Sequence, residues 1–141
     1  MGRRDPKLEM LHAIPLFAKL GDRDLERVGQ LADEVDLPAG RVLMRQGESG
    51  SEMFIIARGA VVVERDGREI AVRGPGEVFG EIALLSEGPR TATVTCTEPS
   101  TLLVLAHREF HTLMDETPGV RAAVLDELAR RLRAVEIDRA H

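Results

Sequence analysis

The spacing of apolar residues changes twice along the chain. In "GDRDLERVGQLADEV" they fall at Leu25, Val28, Leu31 and Val35, which predicts an amphipathic helix capped by Asp22, with first-turn acids that suit the helix dipole. From about Val35 to Ala106 the period shortens. Brief β-branched and aliphatic runs alternate with the turn signals "PAG", "GESGS", "RDG" and "GPGE". Val61, Val62 and Val63, the pair Asp66-Gly67 and then "REIAVRG" predict a hairpin. Beyond "LLVLA" the helical period returns: His107 to about Asp115 forms one helix, Pro118 opens another, and Val124, Leu128, Leu132 and Val135 stripe the second. Many short, closely joined strands between helical ends suggest a compact barrel or roll.

Composition narrows the function. A chain of 141 residues without internal repeats is one domain with one core. Its net charge of -5 argues against direct nucleic-acid binding, which relies on a basic surface, so an anionic ligand must be held locally. Cys96 is the sole cysteine and fits a reducing compartment. Arg58 interrupts the longest apolar run, "MGRRDPKLEM" lacks a signal-peptide core, and Pro6 stands where a myristoylation signal wants Ser or Thr. A cytoplasmic location without direct membrane contact is therefore expected.

Nothing in the sequence points to catalysis. The strands from Val35 to Ala106 carry no histidine for a cupin-type metal site, and neither "SEGP" nor "ESGS" makes a nucleophile elbow. His107 and His111 stand four apart, but Glu109 is misplaced for a zinc-protease helix and no third ligand lies near. The expectation is a capping His107 and no metal. The last helix has two readings: its stripe packs on the roll, or Leu125, Leu128, Leu132 and Val135 form a homodimer seam.

The stretch "FGEIALLSEGPRTATV", Phe79 to Val94, holds the most chemistry. Gly80 permits a close turn, and a short helix starting there would aim free amides at an anion. Arg90, after Pro89, supplies a forked guanidinium that matches phosphate. Glu81 would repel a phosphate but would accept from a hydroxyl. A ligand with both groups a few ångströms apart, a small sugar phosphate, satisfies all three.

Phe79, Gly80, Glu81, Ile82, Ala83, Leu84, Pro89, Arg90, Thr91 and Ala92 together resemble the phosphate-binding cassette of the cyclic nucleotide-binding domain family. "LFAKLGDRDLERV", "AGRVLMRQGESGSEMFII" and "REF" extend the resemblance over nearly the whole chain. It implies a mainly β fold with flanking α: an antiparallel, jelly-roll-like β-roll (a double-stranded β-helix) over residues 35–106, N-terminal helices over 1–34 and two C-terminal helices over 107–141. It also implies a regulatory ligand, cAMP or cGMP, and no cofactor.

By the same resemblance, Arg90 pairs with the cyclic phosphate, with Ile82 beside it and the amides of Ala83 and Thr91 completing the cradle. Glu81 takes the ribose 2′-hydroxyl and Gly80 shapes that side. Phe79 and Ala92 border the pocket. With no Trp or Tyr to cap the purine, Leu128, Arg131 or Leu132 of the last helix does so. Phe110, Leu113 and Met114 form the hinge through which occupancy moves that helix and signals to an effector protein or domain. The alternative is a structural or interaction domain with a degenerate pocket.

Overall fold

The computed structural model describes residues 6–80 and 89–140. Helix α1 (Pro6–His12), a 3-10 turn (Pro15–Phe17) and α2 (Asp22–Leu31) precede the strands. These are β1 (Asp33–Leu37), β2 (Val42–Met44), β3 (Glu52–Arg58), β4 (Val61–Arg65), β5 (Arg68–Arg73), β6 (Val78–Phe79), β7 (Thr93–Cys96) and β8 (Ser100–Ala106). Helices α3 (His107–Glu116) and α4 (Pro118–Ala140) follow. The strands pair antiparallel in two four-stranded sheets, ordered β1-β8-β3-β6 and β2-β7-β4-β5, and the whole is a β-roll with flanking helices.

Side-chain alternation in the first sheet divides the apolar interior. Met53 and Ile55 of β3, with Leu103 and Leu105 of β8, join Leu11, Phe17, Leu25, Val28, Phe110, Leu113, Val120 and Val124 in a core beneath the helices. Phe54, Ile56 and Leu102 point the other way, into the roll, where they meet Val61, Val63, Ala92, Val94 and Cys96. Both faces of β3 and β8 are thus covered. That is why "MFII" and "LLVL" read as unbroken apolar runs rather than alternating ones.

The hairpin forms at Asp66-Gly67, whose φ values of 55° and 78° suit the two-residue turn between the paired Arg65 and Arg68. Three local expectations change. Asp22 does not cap α2; Gly21 is the N-cap, and Asp22 and Asp24 lie in the first turn, where the dipole still favours acids. Val35 is not on the helix face, because Ala32 turns extended (ψ 135°) and Val35 pairs with Leu102 in β1. Sheet pairing along all of β1 prevails over one more helical turn. His107 does not cap α3 either: Ala106 is the N-cap, and His107 packs its ring edge-to-face against His111 at 4.4 Å.

Among the described residues no helix is long and apolar enough to cross a membrane.

Candidate functional site

Arg90 sits where the chain enters β7, and its backbone is fixed before its side chain matters. Its amide donates to Glu48 O at 2.9 Å, its carbonyl accepts from the Gly47 amide at 2.8 Å, and Pro89 bridges to Ser49. The β2–β3 loop therefore lies alongside it. The side chain is only 6% exposed, and Nη2 donates to the Glu52 carbonyl at 2.9 Å. Nη1 is buried with no hydrogen-bond partner among the described residues.

Two glycines make room for this guanidinium. A methyl group on Gly50 would fall 2.6 Å from Arg90 Cζ, and one on Gly80 (φ 85°) would fall 2.6 Å from Nη1. Neither approach is compatible with a real side chain, and at Gly80 the backbone conformation itself favours glycine. The arginine borders a cavity of about 160 Å³ lined by β2 and the β2–β3 loop, with Arg45, Glu48, Ser49 and Glu52 among its polar residues.

Burial lowers the pKa of Arg90 from its usual value, and the charge of Glu52 opposes that shift. Arginine ordinarily titrates so far above neutrality that the group stays cationic. A desolvated cation beside a cavity, with a donor that has no partner among the described residues, can accept an anion.

Other residues singled out in the sequence fall in several places. Phe79, half-buried in β6, pairs with Phe54 and packs on the roll interior. Thr91 is exposed, and its carbonyl accepts from Arg65 Nε at 3.2 Å. Ala92 is buried in the roll. Phe110 and Leu113 are fully buried in the helix-side core, with Met114 packed against it. Glu81, Ile82 and Ala83 lie outside the described residues, as do the side chains of Leu128, Arg131 and Leu132. Leu125 is 53% exposed, whereas Val124 is buried against the helices.

Sequence reasoning missed the partners of Arg90 in the β2–β3 loop. Glu48 and Gly50 fall in the turn signal "GESGS", and with Glu52 in the stretch "AGRVLMRQGESGSEMFII" that extends the resemblance, but neither pattern gives them a role at the site. Their role depends on β2 pairing with β7, which brings that loop to a residue some forty positions later. The available signal was a glycine-rich acidic loop directly after the apolar "VLM".

Residues 34–117 match the model of the cyclic nucleotide-binding domain. The chain belongs to this family. It is 34% identical to a cyclic nucleotide-gated potassium channel of Rhizobium etli over 93% of its own length and 34% of the channel's. The crystal structure of the Thermus thermophilus catabolite activator protein superposes with a TM-score of 0.81 at 32% identity, over 88% of this chain and 61% of that one. A cAMP-dependent protein kinase regulatory subunit of Yarrowia lipolytica is 32% identical over 79% of this chain and 30% of that protein. This chain thus spans between about a third and three fifths of these relatives.

Proposed function

We propose that this cyclic nucleotide-binding domain is a non-catalytic sensor that takes cAMP or cGMP as its regulatory ligand and reports occupancy through its C-terminal helices. The observation that carries the reading is Arg90: a buried guanidinium beside a cavity, fitted between two glycines, with one donor that has no partner among the described residues. An enclosed phosphate satisfies that donor and the charge together.

In this reading Arg90 binds the cyclic phosphate, together with the amides of Ala83 and Thr91 and with Ile82 adjacent. Glu81 accepts from the ribose 2′-hydroxyl and Gly80 lets the backbone approach. Leu128, Arg131 or Leu132 caps the base. The two relatives named for cyclic nucleotides are a channel and a kinase regulatory subunit, so their outputs differ. The ligand-binding step is accordingly assigned to this domain, and the output to an effector domain or protein. The acidic net charge supports an effector other than nucleic acid.

Calorimetric titration with cAMP and cGMP, after unfolding and refolding to strip carried-over nucleotide, tests the reading. Saturable one-to-one binding is expected. Arg90→Ala should lose about 2–4 kcal/mol, or roughly 30- to 1,000-fold in affinity, because a partly buried phosphate loses its charged partner. Unchanged affinity would remove Arg90 from the site. Glu81→Gln should weaken cAMP binding less, and the loss should shrink for 2′-deoxy-cAMP. Equal losses on both ligands reject the ribose role.

A further inference from the structure

The tip of the β4–β5 hairpin is tied to the loop that fixes Arg90, although neither element lines the other's end of the roll in sequence. Gln46 Nε2 donates to Asp66 Oδ1 at 2.8 Å, and the Asp66 amide donates to Gln46 Oε1 at 2.8 Å. The backbone of Gln46 is anchored as well, its amide donating to Thr93 Oγ1 at 2.9 Å. The next two residues, Gly47 and Glu48, are the ones that exchange hydrogen bonds with the Arg90 backbone. On the other side of the arginine, Arg65 of the same hairpin holds the Thr91 carbonyl at 3.2 Å. Contacts from one hairpin thus reach both flanks of Arg90.

We infer that Gln46 and Asp66 are positioning residues for the phosphate site: their double hydrogen bond anchors the β2–β3 loop and thereby sets the backbone of Arg90. Neither side chain borders the cavity, so they act through Gly47 and Glu48 rather than by touching ligand. The turn geometry makes the role specific. Asp66 has a φ of 55°, a conformation open to Asp, Asn and Gly, so its side chain can be changed without breaking the hairpin. The inference rests on Arg90 being the phosphate partner.

The test uses the whole chain, titrated with cAMP and followed by amide hydrogen exchange without ligand. Gln46→Ala, which removes both bonds, should weaken cAMP binding about fivefold, the worth of roughly one net hydrogen bond. Asp66→Gly, which keeps the backbone amide and loses only the side-chain acceptor, should lose less. Asp66→Asn, which keeps an acceptor oxygen, should bind like the parent. In ligand-free protein the Gly47 and Arg90 amides should exchange severalfold faster in Gln46→Ala while the melting temperature stays near that of the parent. Parent-like affinity in Gln46→Ala, or an Asp66→Asn loss as large as that of Asp66→Gly, overturns the inference. If the parent itself does not bind cAMP, the sensor reading fails and exchange alone decides: unaltered Arg90 exchange in Gln46→Ala overturns the positioning role.

Discussion

At the scale of single residues, the proposed role of Arg90 sets stability against binding. Its Nη1 is buried without a partner among the described residues, and a buried unsatisfied donor costs about 1–3 kcal/mol, more when charged. The direction of its pKa agrees: burial disfavours the charged form, and the cost of that charge applies at every pH below the lowered pKa, hence throughout the working range. Arg90→Met keeps a long side chain against Gly50 and Gly80 and removes the charge. It should raise the melting temperature of the nucleotide-free protein by a few degrees while weakening cAMP binding by about as much as Arg90→Ala does. Scanning calorimetry of the stripped protein checks this. A lower melting temperature would mean that the bond from Nη2 to Glu52 O is worth more than the open donor costs.

At the scale of elements, what the sequence disclosed depended on how local the cause was. The Asp66-Gly67 turn was legible because positive φ at both positions demands such residues. Pro118 opening α4 was legible because proline there forgoes no helical hydrogen bond. The end of α2 was not. Val35 continued the helical period, and only the unpaired edge of β8 made a strand from Asp33 the better use of that backbone. The site shows the same division. Pro89-Arg90 after a glycine and an acid suggested an anion site from residue chemistry alone. Glu48, Gly50, Glu52 and the Gln46–Asp66 contact were not, because each acts across pairings that no local pattern encodes.

At the scale of the whole molecule, relative energies decide which parts can move when ligand binds. Helices α1, α2 and α3 and the first turns of α4 share one buried cluster. Their seam carries an ion pair of 2.7 Å between Arg27 and Glu116 and a hydrogen bond from Arg121 Nη1 to Met114 O at 2.8 Å. At Gly119, α4 comes so close to α2 that an added methyl would lie 2.7 Å from Asp24 Oδ2. Parting α3 from α2 would expose Phe110 and Leu113, at about 1.5–3 kcal/mol each. Coupling free energies between sites run at about 1–3 kcal/mol, too little to separate them. Beyond Val124 the side of α4 is already open at Leu125, so for the proposed sensor the expected ligand response is in α4 past that point or in the helices moving as one block. Paired spin labels distinguish this from a hinge within α3, and the buried Cys96 leaves introduced cysteines as the reactive ones. Labels at the exposed Glu26 and Asp115 should keep their separation when cAMP is added, while labels at the exposed Val72 and Arg133 should shift. A ligand-induced change between Glu26 and Asp115 would show that α3 swings free of α2, and that the shared core is weaker than its burial indicates.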